Sequence, residues 1–107
     1  MAREIIWTES AWRDLESIVH HIARDSKHYA AGILFEARDA ARSLIEMAGR
    51  GRRVPEFNKR NTRELLLGNY RLIYRTSLRK VYILAFIHGA RDLRGVWKRN
   101  LRLIKND

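Results

Sequence analysis

Cysteine is absent from this 107-residue chain, and proline occurs once, at Pro55. Without thiols there is no disulfide, no thiolate zinc site and no cysteine nucleophile, and the expected compartment is a reducing cytoplasm. Long apolar runs are missing too. None approaches the roughly 18 to 20 residues that span a bilayer, and Arg3, Glu4, Glu9, Arg13 and Asp14 interrupt the stretch where a signal peptide needs its apolar core. Neither a membrane protein nor an exported one is expected. Carboxylates are scarce in only one half of the chain. Residues 1–48 carry six Lys/Arg against eight Asp/Glu, whereas residues 49–107 carry sixteen against four. A half so basic suits a polyanion, whose phosphates release counterions on binding. An acidic protein partner fits the same charge, and so does a domain held soluble by self-repulsion.

What is present suits one domain over residues 1–107, with 46% hydrophobic residues for a single modest core. Arg3 to Trp7 reads as a short strand. Thr8 is placed to cap a helix, with Glu9 in its first turn complementing the helix dipole. The apolar positions Ala11, Trp12, Leu15, Ile18, Val19, Ile22 and Ala23 recur at spacings of three and four, leaving Arg13, Asp14, Ser17 and Arg24 for water. Ser26 can cap a second helix with the alanine-rich stripe Tyr29, Ile33, Ala37, Ala40, Ala41, Leu44, Ile45 and Ala48, so a helical hairpin is expected. Gly49 and Gly51 then open a loop to residue 63 that has no periodicity and holds six basic side chains against one carboxylate, Glu56.

Beyond the loop, Arg63 to Leu67 and Tyr70 to Ser77 read as strands joined by a Gly68-Asn69 turn. Lys80 to His88, rich in Val, Ile, Tyr and Phe, is the longest strand and a central one. Leu93, Val96, Trp97, Leu101 and Ile104 predict a final helix after Gly89. The expected class is α+β, in the order β-α-α-β-β-β-α, with the helical hairpin packed on a small, mainly antiparallel sheet.

Strand alternation separates Leu72, Tyr74 and Thr76 from Arg71, Ile73 and Arg75. It likewise sets Val81, Ile83, Ala85 and Ile87 apart from Tyr82, Leu84, Phe86 and His88. Arg71 and Arg75 are thus expected to look outward on one face together with Tyr82, Leu84, Phe86 and His88. Guanidinium groups beside rings would suit phosphate contact and base stacking; the aromatics could equally be core beneath the final helix.

These residues carry a wider pattern: W-T-x-x-A-x-x-D-L at Trp7 to Leu15, G-R-x-V-P-E at Gly51 to Glu56, R-E-L-L at Arg63 to Leu66, Y-R-L-I-Y-R at Tyr70 to Arg75, and V-Y-I-L-A-F-I-H-G-A-R at Val81 to Arg91. In order and spacing the chain resembles the RelE/ParE toxins of type II toxin–antitoxin and plasmid-stabilisation systems, and its H-G-x-R, His88 to Arg91, looks more like the ParE branch. The resemblance implies a cytoplasmic toxin, an adjacent antitoxin with an acidic C-terminal segment, and no cofactor. It also implies one of two activities. ParE-like toxins poison DNA gyrase; here Arg50, Arg52, Arg53, Lys59, Arg60, Arg63 and Arg75 from the loop and sheet, with Arg91, Arg94, Lys98, Arg99 and Arg102 from the C-terminal segment, would form the target-binding surface. RelE-like toxins cut messenger RNA on the ribosome without a metal; Glu56 would be base, Arg71 the charge stabiliser and His88 the acid. The chain departs from that ribonuclease branch where Gly89 and Ala90, rather than an aromatic, follow His88. A third reading is a non-toxic basic module that only holds its partner.

Those three residues also have plain structural readings: Glu56 can pair with Arg53 or Arg63, Arg71 can bridge to Glu64 across the hairpin, and His88 can end a strand. His20, His21 and His28 lack the spacing of a metal site and are expected at the surface. Trp12 and Trp97 are expected in the core. Truncation after Gly95 would test the gyrase reading, and alanine at His88 the nuclease reading.

Overall fold

The computed structural model describes residues 2–91, 93 and 94. Its elements run β1 (Glu4–Trp7), α1 (Glu9–Ala23), α2 (Lys27–Ser43), β2 (Arg52–Arg53), β3 (Thr62–Leu67), β4 (Tyr70–Thr76) and β5 (Lys80–His88). The strands form one sheet in the order β1-β5-β4-β3-β2, in which β1 runs parallel to β5 and the other neighbours are antiparallel. This is the expected α+β arrangement with one addition. The basic loop contains β2, two residues long and too short to leave a period-two signature. The expected C-terminal helix, with Val96, Trp97, Lys98, Arg99, Leu101, Arg102 and Ile104, lies outside the described residues.

Both helices start where their caps predict. The Thr8 hydroxyl accepts from the Ala11 amide at 3.2 Å and the Ser26 hydroxyl from Tyr29 at 3.1 Å, each taking up an amide that the helix leaves unpaired. Ala11 and Leu15 from α1 and Ala30, Ile33, Ala37 and Ala41 from α2 are buried, followed by Leu44 and Ala48. All but Ala30 meet Leu65, Leu72, Tyr74, Val81, Ile83 and Phe86 from the sheet. Two aromatic expectations are corrected. Tyr29 is exposed and Ala30 takes its place, because the α2 stripe follows the small residues that let α1 come close. Trp12 is 42% exposed and stands edge-on against Trp7, with ring centroids 5.8 Å apart.

The larger correction concerns strand parity. Ile73 faces Ala85 but Tyr74 faces Ile83, so Leu84 is an extra residue on β5, a bulge. Val81 and Ile83 face the helices as expected. After the bulge the alternation inverts. Phe86 joins the helix-side core, while Leu84, Ala85 and Ile87 pack with Ile73, Val54 and Leu93 on the other face. His88, opposite Tyr70, therefore stands on the helix side of the sheet, whereas Arg71, opposite Ile87, stands on the far side. The expected face of arginines and rings does not form; what surrounds Arg71 is aliphatic.

The first motif secures that bulge. The Thr8 amide and hydroxyl both donate to the Ile83 carbonyl, at 3.1 and 2.7 Å, and Asp14 accepts from the Phe86 amide at 3.1 Å. Asp14, expected in water, thus points at β5. Asp14→Ala leaves the Phe86 amide without its acceptor and is expected to cost about 1–3 kcal/mol of stability, measurable as a lowered urea midpoint.

Candidate functional site

On the sheet face away from the helices, the basic loop folds back over β3 and β4. Residues 54–58 make a tight turn in which the Phe57 and Asn58 amides both donate to the Val54 carbonyl, and Asn58 closes it at φ 48°. Asparagine tolerates that left-handed conformation better than most residues. The turn plants Val54 in the outer aliphatic cluster, packs Phe57 against it, and aims Glu56 at Arg71.

Arg71 is 4% exposed. Its two terminal nitrogens hold the Glu56 carboxylate in a fork, at 2.9 and 2.8 Å, and its Nε donates to Glu64 at 2.7 Å. One terminal nitrogen also donates to the Arg91 carbonyl at 3.0 Å, and Glu56 accepts from the Leu93 amide at 3.2 Å. Glu64, itself 1% exposed, takes a further bond from Arg52 Nε at 2.6 Å. The result is a chain of alternating charge, Arg52–Glu64–Arg71–Glu56, that neutralises itself. It ties together the loop, β2, β3, β4 and the start of the C-terminal segment. Glu64 and Arg71 are diagonal neighbours on one face, so the bridge anticipated across the hairpin is present. Glu56 pairs with neither Arg53 nor Arg63; Arg63 donates instead to the Gly51 carbonyl at 2.8 Å.

The electrostatics follow from these contacts. The Arg71 fork outweighs the desolvation that raises the carboxyl's pKa, and holds Glu56 down at about 2. The same bonds push Arg71 up. A carboxylate so stabilised is a poor proton acceptor near neutrality, and a guanidinium engaged on two carboxylates has little left for a phosphate.

Of the three residues the nuclease reading requires, the structure brings Glu56 and Arg71 together and leaves His88 apart. His88 is exposed, its ring edge-on to Tyr70 at 6.0 Å, with Nδ1 accepting from the Ala90 amide at 3.2 Å. Tyr70 in turn stacks on Phe86 at 5.3 Å. His20, His21 and His28 are exposed on the helices. Among the described residues no three His, Asp or Glu side chains gather as a metal site requires, and no helix is long and apolar enough to cross a membrane.

The other basic residues fall into separate groups. Arg52 and Arg53 form β2, facing Glu64 and Arg63 across the ladder. Arg50 donates to the Ser43 hydroxyl at 2.6 Å. Lys59 and Arg60 are exposed in the loop, Arg75 is half-buried on β4, and Arg91 and Arg94 are exposed after β5. Lys98, Arg99 and Arg102 lie outside the described residues. Three further participants make contacts that the sequence pattern does not foretell. Tyr74 donates to the Ala48 carbonyl at 2.8 Å and accepts from the Gly51 amide at 2.9 Å, pinning the start of the loop. Gly51 is the second, packed against that hydroxyl. Arg3 is the third; together with Arg60 and Arg63 it lines a polar cleft of about 580 Å³. Nothing in the local pattern marks these, since each acts across a long sequence separation.

Residues 5–93 match the family model described as the ParE toxin of the type II toxin–antitoxin system parDE. Among the solved structures that share the fold are these two. One is the chromosomal ParDE toxin–antitoxin system from P. aeruginosa, with a TM-score of 0.64 and 20% identity, covering 81% of this chain and 96% of that one. The other is the RelBE2 toxin–antitoxin complex from Mycobacterium tuberculosis, with a TM-score of 0.57 and 23% identity, covering 82% of this chain and 99% of that one. No curated protein sequence matches.

Proposed function

The chain belongs to the ParE toxin family of type II toxin–antitoxin systems, and from that premise we propose that it arrests bacterial growth by poisoning DNA gyrase through binding rather than chemistry. The observation that supports this reading is the self-neutralised Arg71. Metal-independent RNA cleavage asks for a base, an acid and a cation converging on one phosphodiester. Here the candidate base is held at a pKa of about 2 by the candidate cation, and the candidate acid projects from the opposite face of the sheet. Glu56 and Arg71 are organised to hold the loop in place, and His88 takes no part in that tie. The gyrase contact is then made by exposed cationic residues of the loop and the C-terminal segment, Arg53, Lys59, Arg91 and Arg94 among them.

Neutralisation in this reading comes from a cognate antitoxin in the same cytoplasm, with an acidic segment complementary to the basic half of the chain. The two structural relatives are themselves toxin–antitoxin complexes.

Inducing the chain alone in a bacterial host, while scoring growth, the DNA-damage response and messenger-RNA integrity together, tests the proposal. Growth arrest with a DNA-damage response and intact transcripts is expected. His88→Ala is expected to retain full arrest, because its exposed ring, against Tyr70 and the Ala90 amide, stands apart from Glu56 and Arg71. Cut transcripts restored to full length by His88→Ala would instead establish the ribonuclease reading.

A further inference from the structure

Two sets of arginines stand out among the described residues. Arg13, Arg52 and Arg71 are matched by carboxylates, Glu9, Glu64 and Glu56. Those that line the cleft at the open end of the β3–β4 ladder are not. This cleft lies where the start of β1, the Ala48–Gly49 turn, the loop residues Arg60 and Asn61, and the ends of β3 and β4 converge, and among the described residues no Asp or Glu lines it. Arg3 is steadied by a 2.9 Å bond from Nε to the Ser77 carbonyl, and Arg63 by its bond to the Gly51 carbonyl. Neutral carbonyls fix the direction of a guanidinium without cancelling its charge. Arg60, the third, is exposed and has no side-chain partner among the described residues.

We propose that this cleft grips the phosphodiester backbone of DNA, so that the toxin touches nucleic acid directly as well as protein. The fold itself shows what one carboxylate needs: Glu56 is satisfied by the fork of a single arginine. Three guanidinium groups around one polar space exceed that requirement and suit a run of phosphates, each a multi-oxygen acceptor matched to the guanidinium fork. Asn61 and Thr76 at the cleft add neutral side chains able to donate to phosphate oxygens. The choice of DNA rests on the gyrase reading, in which cleaved duplex lies beside the toxin; the cleft's preference for phosphate does not.

The test is fluorescence anisotropy of the full chain with a short labelled DNA duplex, from about 50 to 200 mM salt, without gyrase. The wild type is expected to bind, with an affinity that falls steeply with salt. Each phosphate contact contributes about 0.9 to the log–log slope on B-DNA, so Arg60→Ala should lower its magnitude by about 0.9 and the Arg3→Ala/Arg60→Ala double variant by about 1.8. Arg13→Ala, which removes an equal charge already paired on α1, should leave the slope unchanged. Arg60→Glu acts at an exposed position and should lower both affinity and slope by more than Arg60→Ala does, while thermal unfolding stays that of the wild type. An unchanged slope in Arg60→Glu overturns the proposal. So does displacement of the duplex by polyglutamate or by single-stranded RNA at lower concentration than by unlabelled duplex, since the cleft then serves a protein or RNA. Gyrase-dependent DNA cleavage that persists in Arg60→Glu discards the cleft and leaves the gyrase reading standing. Duplex binding by a chain that does nothing to gyrase has the opposite meaning.

Discussion

Arg71→Ala is expected to cost about 3–5 kcal/mol of folding stability, the loss that follows when one partner of a buried ion pair is removed. Glu64 is 1% exposed and keeps only the bond from Arg52, whose own side chain is largely in solvent. Glu56 loses both arms of its fork, and the Arg91 carbonyl and the turn at residues 54–58 lose their tie to β4. Against a typical total of about 5–15 kcal/mol this is a large share, read directly as a drop in the urea midpoint. Arg71→Lys, which keeps the charge and loses the fork, should fall between the two. The same contacts give a pH signature. Glu56 is more acidic in the folded chain than in the unfolded one, so its contribution is complete above about 4.5 and is lost as pH falls through about 2. Glu56→Gln is expected to lower stability at neutral pH and to remove that part of the acid sensitivity, which a urea titration repeated between those limits would show.

Gly51→Ala is expected to be the most damaging single-methyl change in the described chain. A Cβ there meets the Tyr74 hydroxyl at 2.5 Å and the Glu64 carbonyl at 2.6 Å, and the second of these is backbone that cannot swing aside. Relief requires moving β2 away from β3 and breaking the Gly51–Tyr74 bond. Overpacking of this kind costs about 1–3 kcal/mol, and the lost buried hydrogen bond about 1–3 more. Tyr74→Phe serves as the control: it removes the hydroxyl and its two bonds but leaves the ring, so Gly51→Ala in that background should cost less than in the wild type. Thermal unfolding of the two single variants and the double variant measures that coupling.

Periodicity and caps made much of this fold legible. Thr8 and Ser26 bond where a helix start needs them, Gly68 takes the φ of 59° that the hairpin turn asks for, and β5 spans Lys80–His88 as its composition indicates. What escaped were features without a repeating signal. A bulge adds one residue to an otherwise regular alternation, and Leu84 looks no different from its neighbours; yet it reverses the faces of Phe86 and His88 and separates His88 from Arg71. The two-residue β2 is too short for any pattern. For Glu56 the sequence offered Arg53 and Arg63 as partners because they are near in the chain. The turn closed by Asn58 carries it instead to an arginine fifteen residues away. Asp14 was assigned to water by its position on the helical wheel, with no means of knowing that a bulged strand would present an amide there.

In the proposed function this toxin acts on gyrase by binding, with Glu56 and Arg71 serving the fold and His88 not needed. Purified chain incubated with DNA gyrase, ATP and supercoiled plasmid, then stopped with detergent and protease, measures this directly as the fraction of plasmid made linear. Linear plasmid is expected to accumulate, dependent on gyrase and equal for the wild type and His88→Ala. Plasmid that is supercoiled normally, with no linear product at any toxin concentration, would contradict the proposed function.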